Sequence, residues 1–388
     1  MRIARVVCLA AGVSFLLLSG HQLSAQAPVN YHLIKTVSLP QAPGNREYFD
    51  YLRVDNDARR VYVTHGTEVL VLNADDYSLI GKIGGLQLSH DVLIMKELGK
   101  GFITDGDGKK VHVFDPKTLQ VTGEVVTGQE DTDGLAYDPV SKYLFSINGN
   151  SKNLAVIDPV KQTIVKMMDL GGAAEAGVVD GQGTLFDNNE EKNDVVVIDT
   201  RSLEIKTRWP TGPAGTVTGL AYDAKNKRLF SAGRGPQFLV MMDATNGKVI
   251  QSYPITGGVD FVIFEPETNL VFVSTRDGRV HIYREDSPDK LTPGPGAHDR
   301  VRSEDDGARS EDSQHPGEHV GFRSAGDAHG AAAQSAPTRE ARKFPGSGLR
   351  QVIGHCSIAS SRSMRVGRTF CACPLKRGGF FHPITAGC

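Results

Sequence analysis

The sequence predicts an all-β protein built from repeated four-stranded antiparallel units, and three observations support this. Residues 133–170 contain four short apolar runs, at Leu135–Tyr137, Tyr143–Ile147, Leu154–Ile157 and Thr163–Met168. Asp-Pro, Asn-Gly and Lys-Gln pairs separate these runs and favour tight turns between antiparallel strands. The same pattern recurs with a period of about 42 residues, which is typical of a β-propeller with four-stranded blades.

The repeat can be followed by the acidic residue that ends the first strand of each unit. Successive members are 42, 41, 42, 43 and 42 residues apart, and they are Asp55, Glu97, Asp138, Asp180, Asp223 and Glu265. We expect these six acids to be turn residues between the first and second strands. Six blades are therefore readable, and together they form a propeller domain over residues 28–293.

The N-terminus predicts export. Arg2 and Arg5 precede an apolar run from Val6 to Leu18, and small residues then offer cleavage sites, so residues 1–27 are interpreted as a signal peptide. An uncleaved membrane anchor is the alternative, but the apolar run is short for a membrane span. We therefore expect a periplasmic or secreted protein that does not span a membrane after signal cleavage. Residues 28–355 contain no cysteine, so disulfides do not stabilise the predicted propeller.

Composition limits the classes of partner. The 388 residues carry a formal net charge of −2 and 39% hydrophobic residues, as expected for a soluble protein with a large core. No global positive field exists to attract nucleic acid or an anionic membrane. We therefore expect a small ligand or an envelope protein as the partner, and no nucleic acid.

The repeats resemble a known group of propellers. Units such as GLAYDPVSKYLFSINGNSKNLAVID are similar to the YVTN-type (YncE-like) β-propeller repeat. The resemblance covers about residues 31–293 and implies seven blades, one more than the six first strands. An isolated strand-like segment at Tyr31–Leu39 is then expected to be the fourth strand of a seventh blade, closing the ring.

The segment 294–388 does not continue the repeat. It carries eleven arginines and four of the five cysteines and shows no strand alternation. Two interpretations are open: a disordered low-complexity extension, or a reading-frame slip near Gly294 that scrambles the seventh blade. Without that blade, we expect exposed blade faces and unpaired strand edges, and therefore poor stability or aggregation.

A second polar position recurs at the start of each first strand, where side chains line the central channel. Allowing one extra residue in blade two, its members are Asp50, Asp91, Asp133, Glu175, Thr218 and Asp260, with His90 beside Asp91. Five carboxylates in a ring can hold a cationic partner or a hard cation such as Ca²⁺. The competing and favoured interpretation is structural, with each acid accepting backbone N–H bonds in its own turn.

Other polar residues are expected to have ordinary roles. Asp105-Gly106-Asp107-Gly108 resembles the start of a calcium loop, but Pro116 occupies the twelfth position, so a hairpin turn is expected. Solvated side chains are the favoured interpretation of the remaining candidates, with metal or acid/base roles open for the histidines and an anion clamp for the arginines. They are His65, His90, Arg46, Arg234 and Arg276.

No catalytic motif is present: the sequence contains no Gly-x-Ser-x-Gly, His-Glu-x-x-His, Cys-x-x-Cys-His or phosphate-binding loop. The favoured function is a binding or scaffold protein that recognises a ligand at the channel mouth. The alternative is a metal-dependent propeller enzyme, similar to lactonases or quinoprotein-type dehydrogenases. A surface-attached protein–protein module is a third possibility.

Overall fold

The computed structural model describes residues 35–294 and the backbone of two short strands further along, Thr369–Cys371 and Thr385–Gly387. The predicted signal peptide at 1–27 lies outside the described residues, as does most of the segment 294–388. Within the described part of the chain, no helix is long and apolar enough to cross a membrane. The helical elements there are two short 3₁₀ turns, Pro43–Asn45 and Lys96–Leu98.

Six four-stranded antiparallel blades follow one another in chain order, which confirms the all-β propeller prediction. Blade one contains Phe49–Asp55, Arg60–His65, Glu68–Asn73 and Leu79–Ile83. Blade two contains Ser89–Met95, Lys100–Asp105, Lys110–Phe114 and Val121–Val126. Blade three contains Thr132–Tyr137, Leu144–Asn148, Asn153–Asp158 and Thr163–Asp169. Blade four contains Ala174–Val179, Thr184–Asn189, Asp194–Asp199 and Glu204–Pro210. Blade five contains Val217–Asp223, Arg228–Gly233, Phe238–Asp243 and Val249–Pro254. Blade six contains Val259–Glu265, Leu270–Thr275, Arg279–Ser287 and Lys290–Pro293.

Four of the six recurrent acids, Asp55, Asp138, Asp180 and Asp223, accept backbone N–H groups in the expected turns, whereas Glu97 lies in the 3₁₀ turn Lys96–Leu98 and Glu265 accepts the Thr268 hydroxyl. Asp55 Oδ1 accepts the backbone N–H groups of Asp57 and Ala58, at 3.1 and 3.2 Å. Asp223 accepts the N–H groups two and three residues further on, at 2.9 and 3.0 Å. A carboxylate at this position satisfies backbone donors that the hairpin leaves unpaired, which explains why the acid recurs at the repeat period.

The hydrophobic core lies between neighbouring blades. Phe145 and Val156 of blade three pack with Leu185 and Ile198 of blade four, and all four are at most 1% exposed. Both faces of a blade are covered in this way, which explains the dense apolar runs of the second and third strands. Fourth strands are more exposed, and apolar side chains such as Leu79 at 47% exposure lie on the outer rim.

The N-terminal strand lies outside the six blades. Blade six has its own fourth strand, and Thr36–Ser38 pairs instead with Thr369–Cys371. This is shorter than the predicted strand Tyr31–Leu39, whose first four residues lie outside the described part. Val37 and Leu39 pack against the face of blade one that points away from blade two. That is the side on which a further blade would stand. A third short segment, Thr385–Gly387, pairs with the first strand of blade one.

Blades six and one touch at the channel through one aromatic pair, and Thr385–Gly387 contacts both of their first strands; towards the rim the junction is more open. The rings of Tyr51 and Phe261 are in edge-to-face contact across the junction, with centroids 5.1 Å apart. Further out, Ile263 and Val280 of blade six are only half-buried, whereas the residues at the same positions in blade five, Ala221 and Leu239, are buried. The junction is therefore a wedge, closed inside and more open outside.

The stability of the outer part of blade six is expected to depend on pH through Glu285. Its side chain is buried, and burial together with the neighbouring Asp223 carboxylate raises its pKa from 4.5 to about 7. The folded state therefore binds the proton more tightly than the unfolded state. The stability that this contributes is present below about pH 4.5 and is lost as the pH rises to about 7.

Replacing Glu285 with glutamine removes this loss. We expect the variant to melt at a higher temperature than the natural protein at pH 8, by roughly 2–4 °C for each kcal/mol relieved, and at the same temperature near pH 4. The matched control is Glu267→Gln, because Glu267 is exposed in a turn of the same blade. Calorimetric melts of both variants at the two pH values measure the effect. Equal shifts for Glu285→Gln at both pH values would contradict the argument.

Candidate functional site

One mouth of the channel collects the polar residues that begin the first strands. The loops that join consecutive blades reach this end, as do the turns between second and third strands. In five blades the second residue of the first strand is polar or charged at the same register: Asp50, Asp133, Glu175, Thr218 and Asp260. Each lies in a β-bulge, where the pairing of first and second strands shifts. Such irregularities re-aim side chains, here at the mouth of the channel.

In blade two this register belongs to His90 rather than Asp91. Ser89 pairs with Asp105 and Val92 with Ile103, just as Phe49 and Leu52 pair with His65 and Val63 in blade one. His90 is therefore the equivalent of Asp50, and Asp91 is the equivalent of Tyr51. The ring at the mouth thus contains His90 where the repeat pattern predicted Asp91.

Asp50, His90 and Asp133 form a compact cluster across blades one, two and three. His90 Nδ1 lies 2.7 Å from Asp50 Oδ2 and 3.5 Å from Asp133 Oδ1. One ligand atom from each of the three residues lies within 4.8 Å of the others. Tyr48 Oη donates to Asp50 Oδ2 at 2.9 Å and lies 3.4 Å from His90 Nδ1. The cluster is mostly buried, since His90 is 4% exposed and the Asp133 side chain 14%.

The cluster carries unneutralised acid. Burial, reinforced by the carboxylates of Asp50 and Asp131, raises the pKa of Asp133 well above its usual value. Asp133 Oδ1 is buried and accepts no hydrogen bond from the described residues. Burial opposes protonation of His90, but its hydrogen bond to Asp50 and the surrounding acids raise its pKa overall. Burial also raises the pKa of Tyr48 well above 10, so it remains a hydrogen-bond donor.

Asp91 has a structural role below the mouth. Its buried carboxylate accepts both Nε and an Nη of Arg53 on blade one, at 2.6 and 2.5 Å. It also accepts the backbone N–H of Val92 at 2.7 Å and that of Leu135, on blade three, at 2.9 Å. Donors from blades one, two and three occupy both carboxylate oxygens of Asp91. Asp91 therefore holds these blades together and has no free oxygen for a ligand.

The opposite side of the mouth is organised by Arg234. This residue lies in the turn between the second and third strands of blade five. Its guanidinium lies 3.1 Å from Glu175 Oε1 and 3.2 Å from Glu190 Oε1, both on blade four. Its Nε donates to the backbone carbonyl of Val259, on blade six, at 3.1 Å. Arg234 therefore bridges three blades, and its side chain is only 23% exposed.

Two acids on this side titrate close to neutrality. Burial raises the pKa of Glu175 to about 7, with Arg234 opposing the shift and Glu190 adding to it. Burial and then Asp50 raise the pKa of Asp260 to about 6, against the opposing effect of Arg276, whose Nε lies 3.5 Å away. Thr218, the remaining member of the ring, donates its hydroxyl to the backbone carbonyl of Thr216 at 3.1 Å and adds no charge.

The structure corrects the expectation that the histidines and Arg234 are solvated. His65 is fully buried, stacks on Phe49 and lies 2.8 Å from a Glu47 oxygen, and His90 is buried in the cluster. The turns fold inward over the channel, so polar residues in them reach buried acids. Arg46 does remain on the surface, with its side chain 45% exposed and paired to Asp107. Asp105–Gly108 forms a hairpin turn, as expected.

Several residues of the mouth were missed by the sequence analysis: Tyr48, Asp131 and Glu190. Tyr48 precedes its strand, and Asp131 and Glu190 lie in connecting loops, so none of them shares the repeat register. Asp187 was also missed. It is fully buried at the position where blades three and five have Ser146 and Ser231. Burial, and then Glu175, raises its pKa well above the usual value. The other three blades have an aliphatic residue at this position, so the repeat gives no signal for an acid here.

Comparisons with known proteins agree on the fold. The chain is 24% identical over 206 residues to WD repeat-containing protein 82 of Drosophila melanogaster. The match covers 50% of this chain and 59% of that protein, which is less than two thirds of its length. No protein-family model matches the chain.

Solved structures with the same architecture are distant in sequence. A chain of the mitotic checkpoint complex superposes with a TM-score of 0.59 at 15% identity, covering 76% of this chain and 90% of that one. A chain of hydrazine synthase from Kuenenia stuttgartiensis gives 0.52 at 15% identity, covering 60% and 82%. The U3-55K structure gives 0.57 at 11% identity, covering 66% and 83%. At these identities the similarity establishes a β-propeller and nothing about activity.

Proposed function

We propose that the protein is an exported binding protein of the YVTN-type propeller group that recognises a cationic ligand at the channel mouth. The observation that carries this proposal is the surplus of buried carboxylate there. Asp133, Glu175 and Asp260 all have raised pKa values, because burial disfavours their ionised forms and neighbouring carboxylates add to the shift; Arg234 and Arg276 only partly oppose it at Glu175 and Asp260. Acids held in this state are stabilised when a cation arrives, and the apolar blades around them lower the local dielectric.

The distribution of cations within the mouth supports the same proposal. Arg53 is paired with Asp91, and Arg234 is shared among Glu175, Glu190 and, at 3.9 Å, Asp260. The Asp50–His90–Asp133 side has no lysine or arginine among the ion pairs of the described residues that involve its two acids. An incoming positive group is therefore attracted to blades one to three.

The proposal that the protein is exported rests on the N-terminal pattern of Arg2, Arg5 and the apolar run that follows.

Cation binding is expected to strengthen as the pH rises from 5 to 8. Glu175 and Asp260 release their protons with pKa values of about 7 and about 6, so the mouth gains negative charge over this range. The probes are Ca²⁺ and hexaamminecobalt(III). The cobalt complex is attracted by charge without exchanging its ammonia ligands. Each is titrated into the full-length protein by calorimetry at both pH values.

We expect both probes to bind more tightly at pH 8, by roughly tenfold for each 1.4 kcal/mol of added attraction. The double variant Glu175→Gln/Asp260→Asn is expected to lose most of this pH dependence. Glu124→Gln is the matched control, because Glu124 is half-exposed on an outer strand of blade two. If neither probe gives a binding heat at pH 5 or at pH 8, cation recognition at the mouth is refuted.

A metal-dependent hydrolase, similar to lactonases, is the second candidate function. The close approach of His90 to two carboxylates favours it, because mixed imidazole and carboxylate sites can hold a catalytic divalent ion. The test is hydrolysis of a simple lactone by the full-length protein with Mn²⁺ or Ca²⁺ added. Turnover that is abolished by Asp133→Asn would establish the enzyme, and binding without turnover would leave the recognition function.

A further inference from the structure

The position of His90 narrows the kind of cation that the mouth can hold. We propose that Asp50 Oδ2, His90 Nδ1 and Asp133 Oδ1 form a binding site for a first-row divalent transition metal. This inference rests on the proposed recognition of cations at the same mouth. With these three ligand atoms, the site is expected to prefer a transition metal to Ca²⁺.

The spacing of the three atoms suits a small ion. Metal–nitrogen and metal–oxygen bonds of about 2.0–2.2 Å place neighbouring ligand atoms about 3.0–3.5 Å apart. Asp133 Oδ1 already lies 3.5 Å from His90 Nδ1. Asp50 Oδ2 lies 2.7 Å from the same nitrogen, as a hydrogen-bond partner, and it needs to move by less than about 1 Å. An ion would take the place of the proton that these two atoms share.

The buried oxygen of Asp133 is a second and independent indication of a ligand. Asp133 Oδ1 is inaccessible to solvent and has no hydrogen-bond partner among the described residues, yet it points towards the His90 nitrogen. Buried polar atoms in folded proteins are satisfied in the great majority of cases. A metal ion between Asp133 and His90 would satisfy this atom.

The ligand types decide between classes of metal. Ca²⁺ takes six to eight oxygen ligands and rarely accepts nitrogen. Imidazole nitrogen with carboxylate oxygen suits Mn²⁺, Fe²⁺, Co²⁺ and Zn²⁺. His90 Nδ1 faces the two aspartates, and Nε2 faces Gly106, where a β-carbon would come within 2.4 Å of it. Nε2 has no hydrogen-bond partner among the described residues, so the orientation of the ring rests on its contacts with Asp50 and Tyr48.

Tyr48 acts as a positioning residue. Its hydroxyl donates to Asp50 Oδ2, and its ring meets the His90 ring edge-to-face with centroids 5.5 Å apart. Outer groups of this kind orient metal ligands, and losing one lowers metal affinity by roughly 10–100-fold. Tyr48→Phe keeps the ring contact and removes only the hydrogen bond.

The probes are Co²⁺ and Mn²⁺, with Ca²⁺ for comparison, titrated into the full-length protein at pH 7.5. We expect Co²⁺ to bind more tightly than Mn²⁺, in the Irving–Williams order, and both at least about tenfold more tightly than Ca²⁺. His90→Gln and Asp133→Asn are each expected to weaken Co²⁺ binding by more than about 100-fold, and Tyr48→Phe by roughly tenfold. The visible d–d absorption of bound Co²⁺ should change in His90→Gln, because the nitrogen ligand is lost.

Three outcomes separate this inference from the proposed function. If Co²⁺, Mn²⁺ and Ca²⁺ bind equally, and His90→Gln changes none of them, the transition-metal site is refuted while cation recognition stands. If neither these ions nor hexaamminecobalt(III) bind, both proposals fail. Thiolate-to-cobalt charge transfer that persists in Asp133→Asn would place the ion on cysteines elsewhere in the chain and refute the site. Thermal melts of all variants without metal show whether each is folded before its affinity is compared.

Discussion

Replacing Asp91 with asparagine is expected to lower the free energy of unfolding by about 3–5 kcal/mol, the cost of breaking a buried ion pair. The change keeps the size of the side chain but turns one acceptor oxygen into an NH₂ group. That group would face Arg53 or the N–H of Val92 or Leu135, which need an acceptor. Because the Asp91 side chain is fully buried, water cannot substitute for the lost oxygen.

The measurement is urea unfolding of Asp91→Asn against Asp107→Asn. Asp107 also pairs with an arginine, Arg46, but both side chains are about half exposed. A surface pair of this kind contributes at most about 1 kcal/mol. The contrast between the two variants therefore tests the structural role that the hydrogen bonds give to Asp91. Similar small losses in both would contradict it.

Replacing Arg234 with methionine is the change with the second largest expected effect, a loss of about 2–4 kcal/mol at pH 8. The variant leaves Glu175 and Glu190, whose side chains are only 17% and 25% exposed, next to each other without their shared cation. The effect should be smaller at pH 5, below the pKa of about 7 of Glu175, because that acid is then protonated and the lost attraction matters less.

A double-variant cycle isolates the pair. Adding Glu175→Gln to Arg234→Met should recover part of the lost stability at pH 8, since it removes one of the two orphaned charges. Arg276→Met is the matched control: Arg276 is more exposed, at 36%, and its Nε lies 3.5 Å from Asp260. We expect it to cost less than half as much. No recovery in the double variant would mean that Arg234 acts by packing rather than by charge.

The fold was predictable because every repeat has the same pattern of turn residues and apolar strands. The strand-ending acids, such as Asp55 and Asp223, sit at a fixed period and satisfy the backbone donors of their turns. Apolar second and third strands follow each of them. Six blades could be counted from these signals alone, and all six are present. The seventh blade implied by the YVTN resemblance stays a prediction.

The site was predictable only where it follows the repeat. Asp50, Asp133, Glu175 and Asp260 share one register and were found from it. In blade two the position of the β-bulge puts His90, and not Asp91, in this register. The position of a β-bulge has no clear signature in a sequence. Arg234 and Tyr48 reach the mouth through loops whose paths are set by tertiary packing, so their roles emerge only in three dimensions.

The wedge between blades six and one interrupts the ring of blades at one junction. Asp50, His90 and Asp133 all lie on one side of this opening, on three consecutive blades fastened by Asp91. Asp260 lies on the other side of this opening, and burial and then the Asp50 carboxylate raise its pKa. A wider opening between blades six and one would move Asp260 away from Asp50, while Asp91 holds blades one to three together. We therefore expect the pKa of Asp260 to fall when the ring opens.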